Sequence, residues 1–177
     1  MPRVLIRVLS AFMLFAAASA NAAPVPTQVD LIYEATRNGQ PFATVTETYR
    51  AADGHYRIQS VTKGIGVYAL FGERRLTSEG EVTASGLKPS HFELHQGDNE
   101  RKALYADFDW GGNTLTMKVK GKPTTVPLLP GTQDLSSFMY QFMFKQPEGS
   151  EYVLPVTTGK RLNTYRYNVT ERNVPLQ

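Results

Sequence analysis

The side chains best placed for chemistry are those of His91-Phe92-Glu93-Leu94-His95. On a strand, where successive side chains alternate, His91, Glu93 and His95 share one face while Phe92 and Leu94 share the other. Two imidazoles and a carboxylate can ligate zinc. The order is not the helical H-E-x-x-H arrangement, however, and an amphipathic strand with Phe92 and Leu94 in a core produces the same pattern. His91, Glu93 and His95 are the only metal candidates, and the expectation is that no metal is bound. Asp107 and Asp109 also share a strand face and could act as paired carboxylates. Phe108 and Trp110 between and beyond them make that face the solvent side of a strand. Ser136-Ser137 lies in no G-x-S-x-G elbow, and the chain has no cysteine. Gly64-Ile65-Gly66 is a fragment of a dinucleotide fingerprint, and no phosphate-binding loop is present. The chain is expected to be no enzyme, with no catalytic residues and no cofactor.

Charge offers little more. The 177 residues carry 19 Lys plus Arg against 16 Asp plus Glu, a formal charge of +3. Arg3 and Arg7 fall in a segment with the form of an export signal, and without them the balance drops to 17 against 16. Lys118, Lys120 and Lys122 form a stripe, but a lysine row also blunts a sheet edge. Nucleic acid is not an expected partner.

Apolar side chains remain. Ile65, Val67, Leu70 and Phe71 cluster between Gly64 and Gly72. Leu135, Phe138, Met139, Phe142 and Met143 fall at i, i+3, i+4, i+7 and i+8, which predicts an amphipathic helix over Asp134 to Lys145 with Asp134 as N-cap. Core packing accounts for such residues by default. The sharper reading makes Val67, Leu70, Phe71, Phe138, Met139 and Phe142 the wall of a site for a lipid or other apolar ligand.

The elements that must hold these residues are mostly strands. Met1 to Arg7 is basic, Val8 to Ala18 is an uncharged apolar run, and Ala20-Asn21-Ala22 fits signal peptidase, so residues 1–22 are expected to be a cleaved signal peptide. A run of eleven is too short for a permanent membrane anchor, and a lipidated anchor would need cysteine. Residues 23–177 then form one β-rich domain in the periplasm. Within it, runs rich in Val, Ile, Thr, Tyr and Phe are punctuated by Asn38-Gly39, Asp53-Gly54, Ser85-Gly86, Gly97-Asp98-Asn99 and Gly111-Gly112-Asn113. Strands are predicted at Leu31 to Arg37, Gln40 to Ala51, His55 to Thr62, Glu73 to Val82, Leu87 to Gln96, Arg101 to Trp110, Thr114 to Lys120, Glu151 to Thr157 and Leu162 to Glu171. Ile65 to Phe71 is read as a short helix or a buried loop. The fold class is mainly β, a curved antiparallel meander like a half-barrel, with one amphipathic helix packed on it.

Tyr33-Glu34 through Asn38-Gly39, Gly54-His55-Tyr56-Arg57-Ile58, Gly86-Leu87-Lys88-Pro89, Phe108-Asp109-Trp110 and above all Pro127-Leu128-Leu129-Pro130-Gly131-Thr132-Gln133-Asp134 resemble the bacterial domain of unknown function 3108. The resemblance covers nearly the whole chain after the signal. It implies export to the Gram-negative periplasm and a β-rich fold, and it brings neither an assigned reaction nor site residues. It also implies further hairpins beyond Leu162 to Glu171, so that this chain is either a short form or a reading frame that ends early. The last strand is then an edge unless another chain pairs with it.

Two functions follow as expectations. The first is a non-enzymatic periplasmic binding or carrier protein for a lipid or similar apolar molecule. The alternative is a module of the cell envelope that pairs with a protein partner, itself unspecified, through an exposed edge strand.

Overall fold

The computed structural model describes residues 25–171, and the expected signal peptide lies outside them. Eight antiparallel strands form one sheet in simple sequence order: β1 (Gln28–Arg37), β2 (Gln40–Ala52), β3 (His55–Gly64), β4 (Arg74–Thr83), β5 (Gly86–Gln96), β6 (Leu104–Asp109), β7 (Thr114–Val119) and β8 (Lys122–Pro127). The sheet does not close, so β1 and β8 are its edges. The predicted meander is therefore present. Asn38-Gly39 and Asp53-Gly54 turn with positive φ at both central residues (52° and 76°, then 51° and 76°), as the type I′ hairpin turn demands.

Alternation selects one face of this sheet for burial. Phe92, Ala106, Phe108, Leu115 and Met117 form one apolar cluster with Leu76 and Leu128. Tyr49, Tyr56, Ile58 and Leu87 form a second cluster around Tyr140. Two bodies cover that face. A small sheet, in which β9 (Gln133–Asp134) pairs parallel to β10 (Glu151–Thr157) and β10 pairs antiparallel to β11 (Leu162–Asn168), lies over β5 to β7. There the Thr157 hydroxyl donates to Met117 Sδ at 3.4 Å, and Leu162 packs on the first cluster. β11 is the outer strand of this small sheet, so the last described strand is an edge.

The second body corrects the sequence reading. Asp134 to Lys145 is not one amphipathic helix: the chain makes a single α turn, α1 (Ser137–Tyr140), then a 3-10 turn at Gln141–Met143. Tertiary ties at both ends explain the shortening. Gln133 and Asp134 are held against Val156 and Thr157 in β9. Asp134 Oδ1 accepts the amides of Ser136 and Ser137 (2.8 and 2.9 Å), while Ser137 Oγ accepts the Asp134 amide (2.9 Å); this reciprocal pair holds the turn before the helix, whose N-cap is Ser136 and not the expected Asp134. Downstream, Gln141 is pinned to β5, its Oε1 accepting the Leu87 amide and its Nε2 donating to the Ser85 carbonyl.

Other boundaries shift for similar local reasons. Glu100–Lys102 is a 3-10 turn started by Asn99, whose side chain accepts the Arg101 amide, so β6 begins only at Leu104. Gly66–Phe71 is also a 3-10 helix, and no residue of it is buried, so the alternative of a buried loop is excluded. β8 was not foreseen. It follows a tight turn in which Lys120 takes φ 52° and Gly121 φ 77°.

Candidate functional site

Residues opposite one another in a ladder share a face, so pairing arranges the inward side of β1 to β5 in rows. Val29, Tyr49, Ile58, Ser78 and Phe92 form one row, Leu31, Glu47, Ser60, Leu76 and Leu94 the next, and Tyr33, Val45, Thr62, Arg74 and Gln96 the third. The first row is sealed from β2 to β5: Tyr49, Ile58, Ser78 and Phe92 are all 0% exposed. Cover thins toward β1, where Leu31 and Tyr33 keep 43% and 47% of their surface although they point inward.

The result is a groove beneath α1. One cavity of about 560 Å³ is walled by Val29, Leu31 and Tyr33 on one side and by Phe138, Met139 and Met143 on the other. An adjoining cavity of about 420 Å³ shares Tyr33, Glu47, Leu135 and Ser136 with it and runs on to Phe42, Ser60, Thr62 and Arg74. Both lie in the volume range of small-molecule sites. A third cleft, of about 680 Å³ between the β4–β5 turn and β10, is walled by Leu87, Trp110, Leu128 and Leu154 together with Lys88, Gln133, Gln141 and Lys145.

Polar groups punctuate the groove. Glu47 points inward between Val45 and Tyr49 and accepts a hydrogen bond from the Tyr140 hydroxyl at 2.9 Å. Burial, and then the Glu47 carboxylate, raise the Tyr140 phenol well above its usual range. Burial followed by the charge of Glu47 also raises Tyr33. Arg74 is half-buried, and burial lowers its guanidinium below the usual arginine value. Its side chain has neither an ion pair nor a hydrogen bond among the described residues.

Behind the groove lies a buried polar chain. Tyr56 OH meets Ser78 Oγ at 3.0 Å, and Ser78 Oγ donates to Asp134 Oδ2 at 2.6 Å. Asp134 is fully buried, and burial outweighs these hydrogen bonds in raising its carboxyl pKa. Two side-chain oxygens there, Gln133 Oε1 and Ser136 Oγ, are buried without a partner.

Of the apolar residues singled out in the sequence, Phe138 and Met139 stand in the groove wall. Phe142 turns away, its ring 5.3 Å from that of Tyr152. Val67, Leu70 and Phe71 lie on the 3-10 helix, 71%, 88% and 70% exposed. That helix borders the groove's far end, where Tyr68 meets the Phe42 ring edge-on at 5.6 Å. His91, Glu93 and His95 are on the outer face. His91 contacts Asp107 at 2.7 Å, and His95 contacts Glu93 and Glu100 at 3.3 Å. Asp109 accepts the Gly112 amide. Among the described residues no group of three or more His, Asp or Glu side chains is arranged to hold a metal. Sequence reasoning missed Glu47 and Arg74. Their signal was phase: each is a charge at a position where its strand otherwise points apolar or small residues inward.

A family model described as "Protein of unknown function (DUF3108)" matches residues 32–176. No curated protein and no solved structure matches the chain.

Proposed function

Because the chain belongs to the DUF3108 family, which carries no assigned activity, we propose its role from the groove: it is an exported, non-enzymatic binding or carrier protein for a lipid or similar apolar molecule. The single observation behind this reading is the inward face of β1. Leu31 and Tyr33 point toward the core side of the sheet, yet only the far wall of Phe138, Met139 and Met143 faces them across about 560 Å³. Apolar surface left open in a concave site favours an apolar occupant by the burial it would gain, about 25 cal/mol per Å² removed from water. The basic and apolar start of the chain supports delivery to the periplasm.

One preparation tests both parts. Protein fractionated from the periplasm and examined by native mass spectrometry is expected to begin at Ala23 and to carry a lipid. Met139→Glu, at a position 57% exposed, should remove the lipid without unfolding the protein. Wild-type protein that is consistently bare, and that binds no long-chain amphiphile when offered one, would end this reading.

A further inference from the structure

We propose that the groove selects amphiphiles with an anionic head, a carboxylate or a phosphate, which seats against Arg74 while the hydrocarbon chain runs between β1 and α1. The proposal deepens the carrier reading and rests on it. Its ground is a contrast among the arginines. Arg50 pairs with Asp30, Arg57 with Glu79, Arg75 with Glu73 and Asp98, and Arg166 with Glu151. Arg37, Arg101 and Arg161 stand exposed in solvent. Arg74 alone among the described arginines is half-buried without an acidic partner. Partial burial strips hydration from the guanidinium, and an incoming carboxylate or phosphate would supply a partner with matching two-point geometry.

The surroundings fit an anion. Thr62 lies directly opposite Arg74, and Ser60 is the next inward residue of the same strand. Both line the cavity with Arg74, and neither hydroxyl has a hydrogen-bond partner among the described residues. Gln96, on the other side of Arg74, is occupied with the carbonyls of Phe71 and Gly72. Glu73 and Arg75 alternate to the outer face, where they bind Lys63 and Asp98. The one acid in the groove, Glu47, is engaged by Tyr140 and sits two strands away, roughly 10 Å between backbones. Positive and negative ends are thus separated, and beyond Glu47 the walls are Val29, Leu31, Phe138, Met139 and Met143, suited to a chain rather than to a second head group.

Titration calorimetry with dodecanoate, dodecyl phosphate and dodecanol reads the discrimination directly. Both anions are expected to bind at least tenfold more tightly than the alcohol, and whichever binds tighter identifies the head-group class. Arg74→Gln should erase that preference while leaving dodecanol affinity unchanged, Arg74→Lys should restore part of it, and Thr62→Val should weaken the anions alone. If the alcohol binds as tightly as the anions, and Arg74→Gln and Thr62→Val change nothing, the head-group proposal is wrong while the carrier reading stands. If none of the three probes binds, both fail together.

Discussion

At the residue scale, Asp134 couples the loop before α1 to the floor of the sheet. It is the one fully buried carboxylate among the described residues, and it accepts from Ser78 Oγ and from two backbone amides. Because burial raises its folded pKa above the usual 3.8, the native state holds this proton more tightly than the unfolded chain does. Asp134 therefore contributes most to stability at pH below about 3.8, and that contribution falls as pH rises from there through its raised folded value. Asp134→Asn keeps an acceptor for the two amides and removes the charge. Urea unfolding should find it within about 1 kcal/mol of wild type, with a flatter pH profile above pH 3.8. Asp134→Ala strands the Ser78 hydroxyl and both amides, and the same measurement should lose about 3–5 kcal/mol. An Asn variant as unstable as the Ala variant would show that the charge itself is required. Little of this was legible beforehand. Asp134 could be read as a residue that holds a helix start, though the helix begins two residues later than that reading, with Ser136 as N-cap; Ser78 is 56 residues away in the chain, and only the ladder brings it near.

At the element scale, the strands were legible where turn chemistry and alternation agreed. Asn38-Gly39 and Asp53-Gly54 announce their hairpins, and Leu115, Met117 and Val119 declare an inward face. β8 was missed because its turn is Lys120-Gly121 and its own residues include Pro123 and Pro127, both of which argue against a strand. An edge position resolves the conflict: a strand paired on one side tolerates proline. The short helix was overestimated for a related reason, since its apolar period is helical while Gln141 and Asp134 tie the backbone elsewhere. Lys120 at φ 52° is a residue in a conformation that asparagine adopts more cheaply. Lys120→Asn should thus stabilise the protein by about 0.5–1 kcal/mol, seen as a rise of about 1–4 °C in melting temperature for a chain of this size. An unchanged or lower midpoint would mean that the lysine side chain compensates for the turn strain.

At the scale of the whole molecule, cover is uneven. The small sheet seals β5 to β7 and the turn of α1 seals β2 and β3, while β1 is left with an unpaired edge and an inward face open to the groove. Phe138 bridges these parts, stacking on Tyr167 of β11 at 6.3 Å while its side chain lines the groove. Occupancy of the groove should therefore alter stability where the fold is least covered. Dodecanoate at one hundred times its dissociation constant is expected to add about 2.7 kcal/mol to the unfolding free energy, by mass action alone. The distribution of that gain is more telling than its size. Amide exchange in β1 and in Ser137–Tyr140 should slow on binding, because both walls of the groove become packed. β6, β7 and β8 contribute no residue to the groove, so their exchange should change only to the extent that global unfolding limits it. Protection confined instead to β1, with Ser137–Tyr140 unchanged, would place the amphiphile outside the groove, on a strand whose outward Ile32 is 78% exposed, and favour an edge that pairs with another chain.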